Sequence, residues 1–166
     1  MKKRSLLVSL VFSCFVVTAN SFVVAQTNPA RKTLGGLKEV HVLIEEIQPE
    51  FEQDGLSDKQ LKTDVELRLR KAGIRVTDSA IAPDVYVNVN IVRLDSPCPL
   101  AFAFSINIEF NQLVILERNK TIYTTAPTWA KSAVGALRSG RLFIIRERVG
   151  EILDEFINDF LAENPK

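Results

Sequence analysis

The chain has 166 residues, with 21 Lys and Arg against 20 Asp and Glu, 46% apolar and 25% charged. That is enough apolar sequence to bury one core, which excludes a disordered chain. The charge balance excludes a general nucleic-acid binder, whose affinity needs a strong basic surplus.

Met1-Lys2-Lys3-Arg4 is a charged start, and Ser5 to Ala25 follows without one charged residue, closing on Val23-Val24-Ala25. A basic start, an apolar run and a small residue before the cut are what a signal peptidase requires. The pattern predicts a signal peptide over 1–25 and a mature chain from Gln26, exported to the periplasm or beyond. A cut after Ala19 is the alternative site. An uncleaved amino-terminal anchor is the alternative fate, although Ser5, Ser9, Ser13, Thr18, Asn20 and Ser21 weaken the run as a membrane span. Phe12 and the apolar residues beyond Cys14 fit a lipidation site poorly. Once the leader has gone the balance of charge turns slightly acidic, and no integral membrane segment is expected.

Residues 26–36, with Asn28, Pro29, Gly35 and Gly36, read as a flexible leader, and a single domain is expected over 37–166. Val40, Val42 and Ile44 alternate with His41, Leu43 and Glu45, the period of a strand. Ser57 followed by Gln60 is a capping box. It opens a helix over about Asp58 to Ala72, with Leu61, Val65 and Leu69 on one face and Gly73 as the stop. Asp64 with Arg68 and Glu66 with Arg70 have the spacing of i,i+4 ion pairs. Ile74-Arg75-Val76 makes a short strand. Pro83 to Leu94 and Phe102 to Phe110 each alternate apolar and polar residues, as half-buried strands do. Asn119-Lys120 sits between two short apolar runs as a hairpin turn. From Leu142 the period becomes helical, through Ile145, Val149, Ile152, Phe156 and Phe160. Together these elements predict an α+β two-layer sandwich: a mixed, mostly antiparallel sheet of about five strands with two helices on one face.

Val40-His41-Val42, then Leu61, Val65 and Leu69 leading into Gly73-Ile74-Arg75-Val76, resembles the strand, helix and strand that open the amino-terminal domain of TolB and the lipoprotein activators of penicillin-binding proteins. Thr128-Trp129 and the ending from Val149 to Phe160 are similar to a family of exported bacterial proteins without an assigned activity. The resemblance implies an envelope domain with a hairpin-rich sheet. No propeller follows as in TolB, and the resemblance carries no functional residue with it.

Chemistry has few footholds in the mature chain. His41 and Cys98 are its only imidazole and thiol, which is too few for a zinc site or a Ser-His-Asp triad, and no metal or cofactor is expected. No internal disulfide can form. Cys98, held in Ser96-Pro97-Cys98-Pro99, is a candidate for an intermolecular one. Tyr86, Asn88, Asn90, Ser105, Asn107 and Tyr123, with Trp129 at the margin, are expected on the polar face of the sheet, where amides and rings could grip a sugar or a peptide. Lys131, Arg138, Arg141, Arg146 and Arg148 precede or open the last helix, whereas Asp154, Glu155, Asp159 and Glu163 close it, against the helix dipole. Arg138, Ser139, Gly140 and Arg141 therefore form a candidate anion site at a helix start. The leading expectation is a non-enzymatic binding or assembly module for a protein or an anionic envelope component. The alternatives are a hydrolase using Glu45, Glu46 or Glu109 and a carrier opening its Phe layer, Phe102, Phe104, Phe110, Phe156 and Phe160, to an apolar ligand.

Overall fold

The structure is a computed structural model that describes residues 29–94, 101–138 and 140–165. The segment 1–25 expected to be a signal peptide, Cys98 and Ser139 lie outside the described residues. The elements in chain order are α1 (Pro29–Lys32), β1 (Glu39–Ile44), a 3-10 helix (Pro49–Asp54), α2 (Asp58–Lys71), β2 (Arg75–Val76), β3 (Asp84–Leu94), β4 (Ala101–Leu116), β5 (Asn119–Arg138) and α3 (Phe143–Glu163). Five strands form one open sheet in the order β2-β1-β3-β4-β5. β1 is parallel to both β2 and β3, and the rest is antiparallel. This is the mixed α+β sandwich that the sequence predicts.

Alternation places the core. Val85, Val87, Val89 and Ile91 of β3 stand opposite Phe110, Ile108, Ile106 and Phe104 of β4, and all of these residues face the helix layer. α3 brings Ile145, Val149, Ile152, Phe156 and Phe160 down onto them, while α2 brings Leu61, Val65 and Leu69. Phe156 is fully buried, with its ring 5.7 Å from that of Phe110 and 5.2 Å from that of Trp129. Phe51 of the 3-10 helix closes the other end, edge-on to Phe102 at 5.8 Å.

α2 starts at the N-cap that the sequence marks, with the Ser57 hydroxyl accepting from the Gln60 amide at 3.3 Å, and Gly73 follows it with a positive φ of 90°. Glu66 and Arg70 pair as expected. Asp64 and Arg68 do not pair with each other. Asp64 accepts two bonds from Arg146, and Arg68 donates to both oxygens of Asp154 at 2.7 and 2.8 Å. A helix 82 to 86 residues away offers each side chain a partner in better geometry, and the two bridges tie α2 to α3.

Three boundaries depart from expectation. Residues 29–36 are part of the packed domain: Leu34 is fully buried, Arg31 pairs with Glu163 at 2.6 Å, and Asn164 bonds to both Gly36 and Leu34. One apolar side chain and two terminal clamps outweigh the loop-like composition. The hairpin turn is Glu117–Arg118, two residues before the predicted one, with Asn119 opposite Leu116. Asn119 and Lys120 belong to β5, where the Asn119 side chain accepts from the Thr121 amide and hydroxyl. Finally, β4 and β5 are far longer than the runs that announced them, at 16 and 20 residues.

Candidate functional site

The two long strands set the shape of the surface. Sixteen residues of β4 extend roughly 50 Å at about 3.3 Å each, whereas the 21 residues of α3 reach only about 30 Å. The far end of the β4–β5 hairpin therefore overhangs the helix layer. It leaves the body at an irregularity between Phe110 and Asn111, where Thr128 is the extra residue on β5. Gln112 braces that point, donating to Thr128 at 2.8 Å and to the Thr33 carbonyl at 3.4 Å.

Beyond the irregularity Leu113 and Ile115 are 67% and 65% exposed, and Tyr123, opposite Ile115, is 67% exposed. By alternation these three side chains share the sheet face that carries Asn107, the face that no described helix covers. Val134, 82% exposed, stands on the same face nearer the body, opposite Ser105. Isolated exposed apolar residues are ordinary; a group of them on one uncovered face is what interaction surfaces present.

The polar patch expected on this face is largely assembled. Tyr86 lies opposite Glu109, Asn88 opposite Asn107 and Asn90 opposite Ser105. The Tyr86 hydroxyl donates to Glu45 at 2.6 Å, which with that carboxylate's charge pushes the phenol pKa up to about 12. Ser132 donates to Asn107, which donates in turn to Glu109, each at 2.6 Å. Asn90 bonds Asn88, and Asn111 reaches Asp84 at 3.1 Å. Tyr123 stands apart, since positions 107 and 115 of β4 are roughly 26 Å from each other at about 3.3 Å per residue. Trp129 is not at the margin of the patch. It faces the helices, 2% exposed, with Nε1 donating to Asp159 at 2.9 Å. The extra residue Thr128 sets its side of the strand.

The basic cluster is dispersed. Lys131 is mid-strand in β5 and pairs with Glu155; Arg146 pairs with Asp64, and Arg148 with Glu151. The Asp64–Arg146 bond holds the Asp64 carboxyl below its usual value and raises that of Arg146. Arg138 ends β5, Gly140 turns with φ 79°, and Arg141 precedes α3, whose first residue is Phe143 and whose N-cap Leu142 has no side-chain cap. Arg138 and Arg141 make no ion pair among the described residues.

Two grooves flank α3. One of about 820 Å³ separates it from α2 and is lined by Leu67, Phe143, Ile157 and Leu161, with Asp64–Arg146 and Arg68–Asp154 across it. The other, of about 500 Å³, runs between α3 and β5. Among the described residues no group of three metal-ligating side chains exists, and no helix is long and apolar enough to cross a membrane. Sequence reasoning missed the overhanging hairpin and the β5 groove. The apolar, threonine-rich run on either side of Glu117-Arg118 marks the strands of the hairpin but not how far they outreach the helices.

No protein-family model matches the chain, and no curated protein matches it. Among solved structures it is similar to a minor lipoprotein from Acinetobacter baumannii, with a TM-score of 0.40 and 11% identity over 77% of this chain and 93% of that one.

Proposed function

We propose that the protein is an exported, non-enzymatic binding module that holds an envelope partner against the uncovered face of its sheet. The observation that carries this reading is the overhanging hairpin, where Leu113, Ile115 and Tyr123 stand together on the face that no described element covers. The charged start and apolar run of the leader support the address. A photo-crosslinker at Tyr123 in the exported protein tests the reading: it captures a specific partner in cells, and the same group at Leu67, 47% exposed on the helix side, does not. Equal labelling from both positions overturns it.

One observation favours an anionic ligand as a second reading: among the described residues Arg138 and Arg141 stand without acidic partners while the other cations of the cluster are neutralised. Titration with inorganic phosphate and with anionic vesicles tests it. Binding should weaken with salt, since exposed charges are screened within about 8 Å at physiological ionic strength. Loss of binding in Arg141→Glu supports this reading, and no salt-sensitive response to either probe rejects it.

A further inference from the structure

Along the carboxyl-terminal part of β5 the helix layer stops short of the edge of the sheet. The groove of about 500 Å³ there is floored and walled by Phe104, Leu137, Ile144 and Ile152. Ala133 and Gly135 make the room on the helix-facing side of β5; a Cβ on Gly135 would stand 2.7 Å from the Phe104 ring. β5 is an edge strand, paired only with β4 among the described residues. Alternate backbone N–H and C=O groups of an edge strand point away from its one neighbour, here beside an apolar slot. We propose that this groove takes an extended acidic peptide of a partner protein, which adds to the sheet as a sixth strand beside β5 and lays alternate apolar side chains against Phe104, Ile144 and Ile152.

Charge selects the occupant. From Asn119 to Arg138, β5 carries Lys120, Lys131 and Arg138 and no acidic residue. Along the wall, Lys131 with Glu155 and Arg148 with Glu151 cancel. Beside the groove, the cations left without an acidic partner among the described residues are Arg138 and Arg141, at the end where β5 gives way to α3. Acidic side chains on an added strand meet them, whereas the β5 edge of a second copy would bring only further cations. The groove opens on the helix side of β5, so this inference does not rest on the uncovered face of the sheet.

The test uses the mature chain and three labelled peptides of about nine residues: one alternating Glu and Val, one with Lys in place of each Glu, and one of the first type with a central Pro, which removes a ladder donor. The Glu peptide is expected to bind saturably, less tightly as salt rises, and to slow amide exchange over 131–137 but not over 113–125. The Lys and Pro peptides should bind about tenfold more weakly or worse. Because positions 138 and 141 are exposed, Arg138→Glu with Arg141→Glu leaves the fold intact, and the preference between the Glu and Lys peptides should invert. Unchanged exchange over 131–137 at saturating peptide, equal binding of the Pro peptide, or a dimer joined through this edge would each overturn the proposal. Protection over 113–125 instead would move the peptide to the hairpin, rejecting this site and favouring the uncovered face.

Discussion

On the helix-covered side of β4, Phe102, Ile106, Ile108 and Phe110 are closed over and fully or almost fully buried; one residue along the same strand, Ser105, Asn107 and Glu109 meet no second layer among the described residues. The difference between the two faces shows how a two-residue period divides labour. Burial on one side supplies stability in proportion to the apolar area removed from water. On the other side hydrogen bonds such as Tyr86 to Glu45 and Ser132 to Asn107 form in solvent, where each contributes little net free energy. Substitutions on the first face should therefore cost stability, and those on the second should leave it unchanged.

The largest effect is expected at Phe156, which contacts both Phe110 and Trp129. Phe156→Ala should lower the unfolding free energy by about 3 to 5 kcal/mol in chemical denaturation. Trp129→Phe comes next. It keeps an aromatic ring but strips Asp159 of the indole donor at 2.9 Å, and should cost about 1 to 3 kcal/mol.

The bridge from Asp64 to Arg146 joins the two helices at the surface, so its contribution should be about 1 kcal/mol or less. Its pH dependence has a definite sign. The hydrogen bond from Arg146 holds the Asp64 carboxyl below its ordinary 3.8, so the contribution is present above that value and is lost as pH falls through the folded one. Asp64→Asn should lower stability at neutral pH and flatten the acid limb of the stability profile. Smallest is the expected change on the uncovered side. The Tyr86 phenol, raised to about 12 by its bond to Glu45, should be the late transition of an ultraviolet titration and should vanish in Tyr86→Phe with little change in melting. The stability from that bond is present below the ordinary phenol value and fades only as pH rises towards the folded one.

The fold was legible where pattern and packing agree. Alternation in β3 and in the first half of β4 marks the buried face, and Ser57, Gln60 and Gly73 bracket α2. It was not legible in residues 126–138, because Pro127 and Gly135 interrupt a run of small residues whose place in β5 is fixed by β4 alongside, not by their own periodicity. Lys131 for that reason looked like part of a helix approach, although it stands opposite Ile108 in the sheet. The Asp64–Arg68 spacing misled for a related reason: sequence shows local partners, and Arg146 and Asp154 are distant ones. Of the surface, the amide patch could be read from alternation. The overhang of the hairpin could not, since it follows from comparing a strand with a helix.

The division of labour between the two faces is tested most directly by one paired measurement on Leu113→Ser with Ile115→Ser, made in a chain that carries the photo-crosslinker at Tyr123. The account predicts an unfolding free energy within about 0.5 kcal/mol of the parent, because both residues are exposed, together with loss of partner capture. A clear drop in stability with capture unchanged would contradict it, placing the hairpin residues among those that hold the fold together and not among those that meet a partner.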